Sequence, residues 1–393
     1  MEMSTPDVTL AHKQENSQRL GAPELALPKS VILITYHFPP EIGGIHTRML
    51  HYVENLRSRG ISVTVFFVVS HGTEMKRYLI SGADVFVVPG RSRFFPRIAF
   101  NLLKTSISKR ADVIHVVTGT STMIGAFAIV MGRTMGLPSV ISFFGKEQFE
   151  FATPVHRWLF KITISLATSI GVNTPYTGAS IPSKFQHKVH LLLGGAEERK
   201  YHPSSQGQQD KTILFVGRLT RTKGVDDLIR AFELTLRKRS DARLVIVGDG
   251  PERANLIQTA AALGVSSRVK FTGTLTGPSL ADEYEKSDVV VLPSKYVKGE
   301  ASSETLGLTL IEASMHSKPL VGTSHGGIPE IVKDGQNGFL VPENDPQALA
   351  DALVRLLSDE RLSQQMGAEA LRIARTKFTW DAATERLLQS YTK

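Results

Sequence analysis

The sequence predicts an α/β fold in two halves, each wound on a mostly parallel sheet. Three observations carry this. From Val31 onward, short β-branched runs alternate with segments of helical period, the order that builds βαβ crossovers. The alternation gives way to a polar stretch, Ser204 to Asp210, and then restarts. The chain has 393 residues, more than one hydrophobic core commonly holds.

In the first half the expected strands are Val31 to Thr35, Ser62 to Val69, Val85 to Val88, Val113 to Val117, Ser139 to Phe143, Ser169 to Asn173 and Val189 to Leu193. A helix is expected from Thr47 to Arg59, closed by Gly60, and others fall between the later strands. In the second half the strands are Thr212 to Val216, Arg243 to Val247, Val269 to Thr272, Val289 to Leu292 and Pro319 to Gly322, with a helix from Val225 to Arg239. The expected units are a flexible tail over 1–29, a first Rossmann-like domain over 30–200, a second over 201–375, and a closing helix over 376–393 that crosses back. In doubly wound sheets ligands sit off the carboxyl ends of the strands, so two such sheets place the site in a deep cleft between them.

There are no cysteines, which excludes disulfides, thiolate metal sites and a Cys nucleophile, and fits a reducing compartment such as the cytoplasm. The longest apolar stretch, Met123 to Met131, is too short to span a bilayer. The net charge of +9 is uneven: residues 30–200 carry 19 Lys and Arg against 9 Asp and Glu, or +10, while the tail and the second half together nearly balance. A basic half meets nucleic acid, anionic lipid or phosphorylated ligands. Residues 91–110 mix cations with large apolar residues and read either as a segment for an anionic membrane surface or as a packed helix with a basic outer face. No interleaved aromatic platform marks a nucleic-acid module.

Two carboxylates stand out. Glu304 and Glu312 have seven residues between them, with Gly307 in the middle, where a strand passes through a loop into a helix. Gly307 allows backbone N–H groups at that helix start to approach a ligand. The plain alternative is a dipole-favoured Glu at a helix start beside an unrelated helical Glu. Gly43 and Gly44 follow the first strand, another turn suited to close backbone approach. Arg218 and Lys223 stand five residues apart after the strand that ends the second half's opening run, and a planar fork beside a point charge can grip a diphosphate. The plain alternative there is an exposed basic turn. Gly248-Asp249-Gly250 reads as a turn, whereas His325-Gly326-Gly327 is open between a structural turn and the phosphate end of a cleft. Lys146 and Glu147 follow a strand and can face the cleft, on the acceptor side, or be a solvated charge pair. No metal-binding motif and no P-loop appears.

Together these motifs resemble a retaining glycosyltransferase of family 4, from Val31 to about Tyr391. The resemblance rests on Phe-Pro-Pro-Glu-Ile-Gly-Gly at 38–44, Val-Gly-Arg-Leu-x-x-x-Lys-Gly at 216–224, Glu-x7-Glu at 304–312 and Gly-Gly-Ile-Pro-Glu at 326–330. It implies the GT-B architecture, two Rossmann-like domains facing each other across a cleft. It implies that Gly43 and Gly44 line the cleft, that Arg218 and Lys223 bind the donor pyrophosphate, that Glu304 contacts the donor sugar, and that Gly307 and Leu308 offer backbone donors. Glu312 then holds the ribose, and the backbone at Thr274 and Leu275 lies by the base. The catalytic set is Glu304, Arg218 and Lys223, with no bound metal and no cofactor beyond the nucleotide sugar. Many members place a histidine just before the glycine that corresponds to Gly145; here Phe144 stands there, which leaves the donor sugar open.

The expected reaction moves a hexose from a UDP- or GDP-linked sugar to a hydroxyl on a glycan, a lipid-linked intermediate or a small molecule, with retention. Polysaccharide, glycolipid or glycoconjugate synthesis is the expected setting, in the cytoplasm or on the cytoplasmic face of a membrane. Two other readings stand beside it. One is a sugar-nucleotide epimerase of the same fold; the other is a non-catalytic binder of sugar nucleotides or glycans.

Overall fold

The structure is a computed structural model that describes residues 27–39, 44–69, 74–90, 94–117, 123–145, 153–198, 210–300 and 304–392. Most of the expected tail and of the 204–210 linker lies outside these residues, as do Gly43, Lys146, Glu147 and positions 91–93.

The first half runs β1 (Ser30–Thr35), α1 (Gly44–Ser58), β2 (Ser62–Val69), β3 (Lys76–Ile80), β4 (Ala83–Pro89), α2 (Phe95–Ser108), β5 (Val113–Val117), α3 (Met123–Thr134), β6 (Ser139–Phe143), α4 (Pro154–Leu166), β7 (Ser169–Val172), α5 (Pro175–Gly178) and β8 (Val189–Leu191). The second runs β9 (Lys211–Val216), α6 (Val225–Leu236), β10 (Ala242–Val247), α7 (Arg253–Ala262), β11 (Val269–Gly273), α8 (Gly277–Lys286), β12 (Val289–Leu292), α9 (Leu308–Met315), β13 (Leu320–Thr323), α10 (Ile328–Ile331), β14 (Gly338–Val341), α11 (Pro346–Ser358), α12 (Glu360–Lys377) and α13 (Trp380–Tyr391).

Each half holds one sheet. The first is ordered β3-β4-β2-β1-β5-β6-β7-β8 and the second β11-β10-β9-β12-β13-β14. All described pairings are parallel except β3 with β4. In both sheets the first strand of the half is central, which is the doubly wound order. Burial explains why β1, β5 and β12 are nearly unbroken Val, Ile and Leu: helices cover both faces, so no position faces water. On one face of the first sheet α1 and α13 pack with Tyr52, Leu56, Leu387 and Tyr391. On the other, α2, α3 and α4 pack with Leu102, Ile129 and Phe160.

Two strands were not expected. β3 is exposed from Lys76 to Leu79, so Lys76-Arg77-Tyr78-Leu79-Ile80 has no apolar alternation to read. It pairs back on β4 through Ser81 and Gly82, both at positive φ (47° and 74°), the geometry of a tight hairpin. β14 has four residues and begins with a glycine. Neither departure alters the central strands.

The chain returns to its first half at the end. Ala196 N–H donates to Phe378 O (2.8 Å), and α13 then lies on the first sheet with Trp380 stacked on His51 at 4.4 Å. Tyr391 Oη lies 3.0 Å from Nδ1 of His115, whose Nε2 lies 2.7 Å from Ser142 Oγ. His115 is fully buried on β5, and burial pushes its pKa down from 6.5 to about 3. The unfolded chain therefore takes up a proton near pH 6.5 that the folded chain refuses until about pH 3. Stability contributed by this site is complete above pH 6.5 and falls as pH drops through that window, by at most about 1.4 kcal/mol per unit. Denaturant melts of His115→Gln between pH 7 and 4 should show a shallower acid loss than the parent. An equal slope would rule out this histidine as its source.

Candidate active site

The loops at the carboxyl ends of β9, β12 and β13 converge. After β9, Gly217 leads through Arg218 to a tight 3-10 turn, Arg221–Lys223, closed by Gly224 at φ 64°. A Cβ on Gly224 would lie 2.0 Å from the carbonyl oxygen of Pro293, so only glycine lets this turn pack on the end of β12. Lys295 N–H donates to Thr222 O (2.8 Å), and its ammonium is bound by Asp226 and Asp227 in the first turn of α6 (2.8 and 2.7 Å). The turn that carries Lys223 is thus pinned from both sides.

Lys223 Nζ donates to Glu304 Oε2, joining residues 81 positions apart. Ser294 Oγ stands 3.5 Å from the same oxygen. Burial by itself would raise the Glu304 pKa. The charge and hydrogen bond of Lys223, with the backbone N–H groups of Gly307 and Leu306, outweigh it and hold the carboxyl below its usual range. Gly307, at φ 89°, opens α9, and its N–H serves Glu304.

Glu304 is seated by the turn after β13. Gly326, at φ 60°, would place a Cβ 1.8 Å from Glu304 O, and Gly327 would place one 2.2 Å from Thr305 O. Gly327 N–H donates to Glu304 O (3.0 Å). The 325–327 turn, open in the sequence between two roles, supports the backbone under Glu304. The 248–250 turn does the same for Arg218. A Cβ on Gly248 would meet Gly217 O at 1.9 Å, and Leu219 N–H donates to Asp249 O (2.9 Å). Arg218 itself is exposed and has no ion pair among the described residues.

The first half closes on this assembly. A Cβ on Gly44 would lie 2.7 Å from Leu308 Cδ1, so the N-termini of α1 and α9 abut. Both helix ends present positive partial charge to one place. Thr305 Oγ1 donates to Phe144 O (2.8 Å), and Thr174 Oγ1 donates to Thr305 O (3.0 Å). The side chain of Phe144 is buried in the first half, and the Arg48 guanidinium lies 4.3 Å above its ring. Arg48 was not singled out from the sequence. It is 2 % exposed, burial lowers its pKa, and its Nη1 donates to Leu192 O (3.0 Å). A Cβ on Gly194 would meet Arg48 Nη2 at 2.6 Å and both Leu306 and Leu308 at 2.8 Å. This cation therefore sits where the two halves touch. Its one sequence signal is its place on the apolar stripe of α1, four residues before Tyr52.

Glu312, on α9 and eight residues after the loop residue Glu304, faces a different space. Its Oε2 accepts from Tyr284 Oη (2.8 Å), and Tyr284 stacks on His316 at 5.3 Å. Burial first, then the Glu312 charge, pushes the Tyr284 hydroxyl pKa well above its usual value, so the phenol stays a donor. Glu312 lines a cavity of about 430 Å³ shared by both halves, with Gly44, Thr47, Leu308, Thr309 and Tyr284 also on its wall. Lys223, Glu304 and Arg218 do not line it. Leu275 lines a separate hollow of about 480 Å³ beyond α8, and Thr274 is exposed. The structure thus brings Lys223, Glu304 and Gly307 together, sets Glu312 beside Gly44 and Leu308, and leaves Thr274 and Leu275 apart. Among the described residues no group of three His, Asp or Glu could hold a metal ion.

Comparison with known proteins agrees with this frame. A family model described as Glycosyltransferase Family 4 matches residues 42–197, and one described as Glycosyl transferases group 1 matches residues 197–372. An uncharacterized glycosyltransferase of Methanocaldococcus jannaschii is 29 % identical over 390 residues, covering 92 % of this chain and 97 % of that protein. The D-inositol 3-phosphate glycosyltransferase of Corynebacterium diphtheriae is 37 % identical over 241 residues, 56 % of this chain and 55 % of that one. Among solved structures, Anabaena HepE in complex with UDP superposes with a TM-score of 0.71 at 18 % identity, covering 92 % of this chain and 99 % of that chain.

Proposed function

We propose that this chain, an enzyme that belongs to glycosyltransferase family 4 and has the GT-B fold, moves a hexose from a nucleoside-diphosphate sugar to a hydroxyl acceptor with retention at the anomeric carbon. The observation that carries the reading is the Lys223–Glu304 pair just before α9, the helix whose first residue, Leu308, abuts Gly44. An ammonium has three protons, so Lys223 can keep one on Glu304 and give another to a diphosphate oxygen. The second oxygen of Glu304 is then the acceptor for a sugar hydroxyl. The pair bridges the two parts of the donor that must separate.

In the reaction the bond from the anomeric carbon to the phosphate oxygen breaks, and its electron pair leaves with the diphosphate. Lys223, Arg218 and the helix N-termini meet that growing charge. The acceptor oxygen bonds to the same face of the sugar, and its proton passes to the departing phosphate oxygen, so no protein base is assigned. The nucleoside lies toward Glu312, whose carboxylate, fixed by Tyr284, accepts from ribose hydroxyls. The complex of Anabaena HepE with UDP supports a nucleoside diphosphate as the leaving group. Phe144, with its ring under Arg48, offers the donor sugar no polar group, so recognition of the sugar falls to Glu304 and its neighbours. The acceptor is a glycan, lipid-linked or small-molecule hydroxyl.

The test is a thermal-shift screen of UDP- and GDP-sugars, followed by NMR of the product's anomeric configuration in buffer containing EDTA. The expected result is an axial-to-axial or equatorial-to-equatorial transfer with turnover unchanged by the chelator. Inversion would remove the mechanism, loss of turnover with EDTA would remove the metal-free reading, and conversion of donor with no acceptor would favour an epimerase.

A further inference from the structure

The first half carries a surface that the donor site does not use. Helices α2, α3 and α4 lie side by side on one face of the sheet, with α3 packed against both of the others. On α2 the buried stripe is Ile98, Leu102 and Ser106, yet Phe100, Leu103 and Ile107 stand outside it. Phe100 and Ile107 are 65 % and 61 % exposed. On α4, Val155 and Trp158 are each 61 % exposed, and α3 adds Met123 and Val130. Seven of the thirteen large apolar side chains exposed among the described residues therefore lie on three neighbouring helices. A packed helix with a basic outer face, one of the two readings open for residues 91–110, would not leave these three α2 side chains in water.

The same helices have no Asp or Glu at all. Arg97, Lys104, Arg133, Arg157 and Lys161 are exposed on them. Long basic side chains spread among large apolar ones match an interface with anionic headgroups above and acyl chains below. A polyanion such as nucleic acid would answer the cations but leave the Phe, Leu, Ile and Val side chains wet. Each helix also begins at the carboxyl end of a parallel strand, after β4, β5 and β6, the edge that carries the cleft.

We propose that this three-helix face docks the protein on an anionic lipid bilayer surface, with Phe100, Ile107 and Trp158 entering the headgroup region and the cations pairing with lipid phosphates. The proposal is independent of which donor the cleft binds. The chain offers a direct probe, because it has two tryptophans and the other, Trp380, is 7 % exposed in the core. Full-length protein is mixed with phosphatidylcholine vesicles with or without about one third phosphatidylglycerol, at low and high salt, and both pelleting and quenching by brominated lipid are read. Binding is expected only to the anionic vesicles, weakening at least tenfold in high salt as screening shortens to about 3 Å near 1 M. Quenching is expected in the parent and absent in Trp158→Phe. A Phe100→Ser/Trp158→Ser variant and a Lys104→Glu/Lys161→Glu variant, both with unchanged thermal melts because the sites are exposed, should each bind at least tenfold more weakly. Absence of pelleting at low salt overturns the proposal. So does binding that both variants retain, or retention on immobilised nucleic acid that survives the apolar substitutions without any quenching of Trp158.

Discussion

Lys223→Ala is expected to lower kcat/KM by about 10²- to 10³-fold, the usual effect of removing one preorganised donor from a site of developing negative charge. The structure adds a second effect that the sequence does not suggest. From sequence alone, loss of a surface cation in a basic turn should leave folding intact. In the structure the ammonium is the counter-charge of a carboxylate whose side chain is 12 % exposed. Without it Glu304 keeps its burial and loses its cation, at a cost of about 1–3 kcal/mol in unfolding free energy. The sign of the pH dependence follows. In the parent, Glu304 titrates below its ordinary range, so it stabilises above the unfolded pKa of 4.5 and that gain is lost as pH falls through the folded value. In Lys223→Ala burial is opposed only by the backbone N–H groups of Gly307 and Leu306, and the carboxyl titrates higher. The stability deficit should therefore be larger at pH 7 than at pH 4, as read by urea melts. Lys223→Ala/Glu304→Gln should regain much of the stability and none of the turnover. Parental turnover in the single variant would remove Lys223 from the diphosphate, and a pH-independent deficit would remove the ion-pair account.

Gly326→Ala should be more damaging to the fold, by about 3–5 kcal/mol. Two effects add. An alanine at φ 60° carries about 1–2 kcal/mol of left-handed strain. Its Cβ would also stand 1.8 Å from Glu304 O, a distance no side-chain rotation can relieve, because the oxygen belongs to backbone and the Cβ is fixed by its own backbone. The loop segment bearing Glu304 and Thr305, just before α9, must move. A displacement near 1 Å at a positioning group costs about 10²-fold in rate, so kcat should fall even at temperatures where the variant is folded. Gly335→Ala is the control. It has φ 72° and nothing within 4 Å of the added carbon, so it should show the strain alone and keep its turnover. Equal losses in the two variants would mean that strain, not support of Glu304, explains Gly326.

The central strands were readable because a parallel sheet covered on both faces demands unbroken β-branched runs, and β1, β5 and β12 are such runs. β3 was not, because an exposed edge strand has no apolar pattern. Its turn, Ser81-Gly82, was the signal available. At the site, Lys223, Glu304, Gly307 and Glu312 could be singled out by residue type and spacing. The pairing of Lys223 with Glu304 could not, since it joins two loops 81 residues apart. Arg48 was illegible for a different reason. A cation on the apolar stripe of a helix is ordinarily a snorkelling surface residue, and its burial depends on Phe144, Leu192 and Gly194, none near it in sequence.

The sequence by itself determined the α/β class, the two-part winding, the basic first half and the residue types that can meet a diphosphate sugar, because these follow from local periodicity, composition and chemical group. The tertiary structure decided how those groups are used. It made the 326–327 glycines the seat of Glu304 and gave Lys223 to Glu304. It also separated Glu312 from Leu275 and joined three helices into one basic, apolar face. These outcomes depend on the distances between strands remote in sequence, and a backbone carbonyl 1.8 Å from an absent Cβ leaves no trace in the order of the residues.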